Sequence, residues 1–485
     1  MAQIFEPLST PSDGLFENNP DKTSVEKFRF FHADEGKPLA TPWQVALSRS
    51  LILRRYNLGQ GIILDPACGS GIQIAAYSEI LRRPIVGIEL NADRARASAV
   101  NFRTIFTERG DTSIERLKNS KIIVGDGTKG EEIINLLSEN NTELNIALLH
   151  LDPARPRNSR EHSLDEMAPK LEDVFAGWQD YLLNSPNGPA ILLDLSPRLS
   201  NEQMLEVEAL VEQFWPNSNK TWTWTSRGRG RVDRLALWIG SIAEPGIFRR
   251  FVRIPPDPKQ PPYEMLGGQP LQLETKQLTV NDRVPKRGEF VSIIDSALVE
   301  SGMAEDWLES LNIGEGYVWA SVTGRRPTIY HAKKLNNIPP GSEILVQCTG
   351  KIVDLIHRDL TMETVDSFVE VCLTNDIKKL TIRANLPPEL HPKLQGSFDR
   401  QLAKRHGSRE AFLLKRMGKP HEVSAVCRPT TLEIDSVPEE SVRTLHRGAI
   451  ASSEERVFRC GRGWIVARPL VPFRPIYEGG VGLSK

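Results

Sequence analysis

Residues Ile62–Gly71 read IILDPACGSG, and this stretch constrains the fold more than any other part of the chain. An apolar β-run ends on Asp65 and passes through the small-residue turn Ala67-Cys68-Gly69-Ser70-Gly71. It then enters a segment with helical apolar spacing at Ile72, Ile74, Ala75, Ala76 and Ile80. A strand, a glycine loop and a helix in that order turn bare backbone N–H groups and the positive end of a helix toward a bound cofactor. Glycines suit the turn because a Cβ would block close approach and some of the torsions required. A nucleotide pyrophosphate is one ligand for such a loop. Asp65 favours another, S-adenosylmethionine (SAM), because a carboxylate attracts a methionyl ammonium and repels phosphate. A Walker loop is excluded, since no Gly-Lys-Ser/Thr follows.

Three later β-runs end in the same way. PIVGIEL delivers Glu89 and Leu90 about twenty residues after the loop, where an acid accepts from both ribose hydroxyls. KIIVGDG delivers Asp126 and Gly127, placed to meet the adenine exocyclic amine. NIALLHLDPAR brings Asp152, Pro153, Ala154 and Arg155 to the carboxyl edge, where open α/β sheets hold their ligands. One acid at a strand end is an ordinary solvated residue; four in βα alternation predict a Rossmann-like α/β domain. The expected cofactor contacts are Asp65, Ala67, Gly69, Ser70, Gly71, Glu89, Leu90, Asp126 and Gly127.

The 485 residues are enough for several domains. No apolar run approaches the roughly 20 residues that span a bilayer, and the first residues lack the basic and apolar regions of a signal peptide. Five scattered cysteines without a CxxC pair suggest neither a disulfide framework nor a zinc site. A reducing cytoplasm and a metal-free site are therefore expected. The net charge of −1 advertises no polyanion partner, yet bases are concentrated locally. Between Lys378 and Arg428 twelve Lys and Arg face four acids, and Arg227, Arg229 and Arg231 alternate with glycines. Such clusters suit phosphate contacts, and Lys404, Arg405 and Arg409 are the expected substrate-binding bases.

Proline-rich stretches suggest the boundaries. Residues 1–60 read as an irregular lead and a helix, and 61–250 as the cofactor-binding domain with TWTWTS and LALWIGSI as a terminal β-pair. Residues 251–262, with five prolines, read as a stiff linker. Residues 263–372 and 373–485 are expected to form two further α+β domains.

The segments TPWQVALSRS, LDPAR, SLDEMAPKL and LLDLSPRLS, with GEFVSIIDSALVESGMAEDWLESL and KLTIRAN…AFLLKRM further on, resemble a particular family. It is that of the bacterial and archaeal class I SAM-dependent methyltransferases with a C-terminal THUMP-like domain. The likeness covers most of residues 41–430, although Pro156 stands where the family pattern has a second arginine after DPAR. It implies an RNA substrate, tRNA or rRNA, and a core similar to that of RNA guanine-N2 methyltransferases.

The strand-end residues narrow the chemistry. Enzymes that methylate exocyclic amines commonly carry Asn/Asp-Pro-Pro-aromatic at this position, the acid accepting from the amine and the ring stacking on the base. Here Asp152 supplies the acceptor, Pro153 the rigid turn and Arg155 a plane that can stack; these three are the expected catalytic residues. Attack at uracil C6 would need a cysteine nucleophile, and none lies between Cys68 and Cys348. His150 reads as a sheet residue rather than a general base. Two alternatives remain: a methyltransferase acting on protein or a small molecule, and a non-catalytic SAM- or RNA-binding module.

Overall fold

The computed structural model describes residues 3–17, 28–33, 41–108, 114–139, 144–154, 164–257, 260–272, 278–311, 313, 316–384, 386–415, 424–430, 432, 456–460 and 463–469. The chain divides into two compact units. One comprises Met1–Arg227, Asp233–Leu273 and Val466–Lys485, the other Gly228–Val232 and Glu274–Ile465.

The first unit is built on one mixed sheet. Its strands include β1 (Gln3–Phe5), β2 (Ile62–Asp65), β3 (Ile85–Glu89), β4 (Lys121–Val124), β5 (Ile146–Leu151), β6 (Ile191–Leu195), β7 (Lys220–Ser226), β8 (Arg234–Ile239), β9 (Arg249–Arg253) and β10 (Tyr263–Gly267). Their order is β1-β4-β3-β2-β5-β6-β8-β7-β9-β10. The central five, β4-β3-β2-β5-β6, are parallel, with pairs such as Leu64↔Val86, Leu64↔Leu149 and His150↔Leu192. β2 and β5 are buried along their whole length, which is why their sequences run apolar without alternation. β8 runs antiparallel to both β6 and β7, so TWTWTS and LALWIGSI form the expected β-pair. The architecture is Rossmann-like, as the βα alternation predicted.

The connection direction reverses between β2 and β5. From β2 the chain winds outward through β3 and β4, and it then returns to lay β5 and β6 on the other side. Ligands of open α/β sheets bind at such a switch point, beyond the carboxyl ends of the strands. Two helices back it. α1 (Trp43–Leu53) lies against α2 (Ile72–Leu81), and α2 is buried from Ile72 through Ile80. Each isoleucine so enclosed contributes about 1.5–3 kcal/mol.

The proline-rich segment is not an interdomain linker. It connects β9 to β10, which pair directly (Phe251↔Met265) within the same sheet, because the apolar runs flanking the prolines zip together as antiparallel neighbours. The boundary between the units falls after Leu273 instead.

The second unit also corrects the expected division at residue 372. Its strands are β11 (Phe290–Ile294), β12 (Tyr317–Ser321), β13 (Thr328–His331), β14 (Val346–Ile356), β15 (Ile377–Ile382), β16 (Arg409–Lys415) and β17 (Ser424–Pro429). They form a single sheet, β12-β13-β11-β14-β17-β16-β15, spanning both expected domains. The long β14 joins them, pairing with β11 on one side and β17 on the other. β15 and β16 are parallel, and the helix Leu390–Ala403 makes the crossover, burying Leu394 and Phe398 with Phe368, Leu380 and Leu413. Among the described residues no helix is long and apolar enough to cross a membrane.

Candidate active site

The glycine loop sits at the switch point, between β2 and α2. The Cys68 N–H donates to the Ile88 carbonyl (2.9 Å), and the Asn101 amide donates to the Ser70 carbonyl (2.9 Å), so the loop is tied to β3 and to the helix Ala92–Glu108. Gly71 caps α2 at φ +72°, and a Cβ there would lie 2.2 Å from Ser98 Oγ. Gly69, at φ +52°, is different: a Cβ built on it meets nothing within 4 Å. The loop therefore turns an open, side-chain-free surface outward at the sheet edge, with Ala67 and Ser70 half-buried beside it.

Around that opening stand the other predicted contacts. Glu89 is half-buried and accepts from the Asn91 N–H (3.0 Å), while Leu90 beside it is 76% exposed. Asp126 is exposed and accepts from the Thr128 N–H (2.9 Å) and hydroxyl (2.8 Å). The backbone donor foremost, these bonds hold its carboxyl below the usual range. Gly127 packs closely on Pro66, where a Cβ would lie 1.9 Å from the Pro66 carbonyl, bringing the loop after β4 onto the glycine loop.

Asp65 opens the loop from the end of β2. It is 2% exposed, Oδ1 accepts from the Ala67 N–H (2.9 Å), and Oδ2 lies 2.7 Å from His150 Nδ1. One oxygen thus shapes the loop, and the other meets a side chain of β5. Sequence could not show this, because the partner is on a different strand.

Beneath the opening lies a buried polar cluster. The other nitrogen of His150, Nε2, lies 3.3 Å from Asp194 Oδ2, and the ring is fully enclosed. A ring with carboxylate oxygens at both nitrogens donates from both, which is the imidazolium form. Burial works against that charge, but Tyr77, Asp65 and Asp194 outweigh it and raise the His150 pKa well above 6.5. Arg49, from α1, donates to Asp194 Oδ2 at 2.5 Å and to Gln73 Oε1 at 3.0 Å. Gln73 Nε2 in turn donates to Asp152 Oδ2 at 2.8 Å. Burial pushes the Asp194 carboxyl up, yet Arg49 and His150 hold it below the ordinary range. Asp152 goes the other way: burial, then the nearby Asp194, raise it against the pull of Arg234 and His150.

Asp152 is half-buried at the end of β5, next to buried Pro153. Ala154 is held by reciprocal backbone hydrogen bonds with Ala168 (2.9 Å each). Arg155 lies outside the described residues. Lys404, Arg405 and Arg409 are exposed after the helix Leu390–Ala403, with Arg409 3.6 Å from Asp376. Sequence reasoning found the strand ends but missed Arg49, Gln73, Tyr77 and Asp194. Two of them left a signal: Asp194 is a charged residue within the apolar strand AILLDLS, and Arg49 is a charged residue within an otherwise largely apolar helix.

No family profile and no curated protein matches the chain. Several solved structures are similar. A protein from Porphyromonas gingivalis W83, provisionally described as a methyltransferase, shares 17% identity over 79% of this chain and 80% of its own, with a TM-score of 0.44. A SAM-dependent methyltransferase from Agrobacterium tumefaciens shares 13% over 47% of this chain and 69% of its own, at 0.29. The glycopeptide N-methyltransferase MtfA, solved with SAM, shares 14% over 40% of this chain and 93% of its own, at 0.26.

Proposed function

We propose that the first unit is a SAM-dependent methyltransferase, and that its acceptor is a base nitrogen in structured RNA, an exocyclic amine such as guanine N2. One observation carries the reading: the open surface over Gly69 stands at the switch point of a doubly wound sheet, beside a strand that presents Asp152. The cradle has room for SAM, since no protein atom lies within 4 Å of a Cβ built on Gly69, and in this reading Glu89, Leu90 and Asp126 at the neighbouring strand ends meet ribose and adenine. When bound, SAM supplies an activated methyl group on sulfur.

The chain's own residues then have only to align the acceptor. An amine whose lone pair is delocalised into a ring is a poor nucleophile. A hydrogen bond from the amine to Asp152 draws that lone pair out of the ring, and Pro153 stiffens the turn that holds the carboxylate. A thiolate mechanism at uracil C6 has no support here: burial, then Asp65, keep the Cys68 thiol well above its ordinary value. The second unit, read as THUMP-like, contributes RNA affinity through Lys404, Arg405 and Arg409. Cys68, Cys348, Cys372 and Cys427 are free, in keeping with a cytoplasmic setting.

The test is mass spectrometry of modified nucleosides in total tRNA and rRNA from a deletion strain and its parent. Loss of one methylated base in the deletion is expected. Unchanged RNA modification would move the acceptor to a protein or a small molecule.

A further inference from the structure

We infer that Gln73 and Arg49 are positioning residues: together they commit one oxygen of Asp152 and present the other to an N–H donor on the substrate. The inference rests on Asp152 being the group that meets the acceptor.

The orientation of Gln73 follows from chemistry alone. Its Oε1 lies 3.0 Å from Arg49 Nη1 and 3.3 Å from the Tyr77 hydroxyl, and its Nε2 lies 2.8 Å from Asp152 Oδ2. Arginine only donates and an ionised carboxylate only accepts, so the flipped amide would set donor against donor and acceptor against acceptor. Arg49 is itself pinned by Asp194 Oδ2 at 2.5 Å. Thus α1 and α2 jointly fix a carboxylate on β5, and the amide cannot rotate without breaking its bond to a buried guanidinium.

Charge makes this more than scaffolding. Of the groups facing Asp152, Asp65 pairs with His150 and Asp194 pairs with Arg49, while Arg234 on β8 is bonded to the Thr41 hydroxyl (3.0 and 2.7 Å). Tyr77 is held neutral by burial. The partner in direct contact with Asp152 is therefore a neutral amide. A cation in that place would depress the basicity of the carboxylate, whereas an amide orients it and leaves it a strong acceptor. Among the described residues Oδ1 has no hydrogen-bond partner. A carboxylate so held suits an acceptor that brings an N–H, and it repels one that brings an anionic oxygen.

Two variants of the full-length protein test this. Gln73→Leu removes the donor while keeping an apolar filling. It should slow single-turnover methyl transfer to bulk RNA by roughly 10- to 100-fold, the effect of losing a hydrogen bond to a charged group, with SAM affinity unchanged. Gln73→Glu places a second carboxyl against Asp152, so the pair must share a proton. The acid limb of its rate profile should move up by about one pH unit or more. The ligand-free variant should also lose thermal stability, relative to wild type, as pH rises through the carboxylate range. That second readout needs neither SAM nor RNA. If Gln73→Glu follows the wild-type curve in both measurements, the inference is overturned. If wild type itself transfers no methyl to RNA, the proposed function fails separately, and the ligand-free stability curve still decides whether Gln73 holds Asp152.

Discussion

Gly69 offers the sharpest separation of a binding role from a folding role. A Cβ at this position has no protein atom within 4 Å, so Gly69→Ala costs the free protein only the torsional penalty at φ +52°, about 1–2 kcal/mol. A cofactor lying against the loop would feel the added methyl as overpacking, about 1–3 kcal/mol. That is roughly a 5- to 150-fold loss of SAM affinity, and Gly69→Val should abolish binding. Gly246 is the matched control. It too has a positive φ (+75°) and open space around its Cβ. It lies between β8 and β9, and the pairing Ile239↔Ile191 puts the end of β8 at the amino edge of the sheet, away from the site. Gly246→Ala should lose similar stability and keep wild-type affinity. Gly71→Ala must displace Ser98 and should destabilise the fold more than either. Calorimetry with SAM, alongside thermal melts, reads both quantities. Unchanged SAM affinity in a folded Gly69→Ala protein would refute the cradle.

Three further outcomes are expected. Glu89→Ala should weaken SAM binding by about 1–3 kcal/mol, the scale of losing charge-assisted hydrogen bonds; wild-type affinity would leave Glu89 a plain strand end. Reversing Lys404, Arg405 and Arg409 to Glu should weaken RNA binding and flatten its salt dependence while sparing SAM affinity, and equal RNA affinity would favour a non-RNA acceptor. His150 has a folded pKa raised above 6.5, so its stabilising charge is fully present below about pH 6.5 and is lost as pH rises through the folded value. Wild-type melts should therefore fall at alkaline pH, and His150→Gln should be less stable near neutrality but flatter across that alkaline range; parallel curves would contradict an imidazolium.

The parts of the molecule legible in sequence were those written locally. IILDPACGSG, the strand-end acids and the alternation of β-runs with amphipathic segments foretold the sheet, because strand, turn and helix signals lie within a few residues of one another. The cluster beneath the site was hidden because most of its bonds join residues far apart in sequence, such as Arg49 with Gln73, 24 positions away, and with Asp194, 145 positions away. His150 was rightly placed in the sheet, but only the register of β2, β5 and β6 sets its ring between two carboxylates. The proline run misled for a related reason: prolines mark a turn, and whether the turn joins domains or neighbouring strands depends on what the flanking runs pair with.

The central claim is that the end of β5 is where methyl transfer occurs, and one measurement meets it directly. Labelled methyl transfer from SAM to bulk RNA, followed in a single turnover, should be slower in Asp152→Ala by on the order of 100-fold or more, with SAM affinity little changed. An Asp152→Ala protein that transfers methyl as fast as wild type would contradict the account, because the acceptor would then be aligned elsewhere.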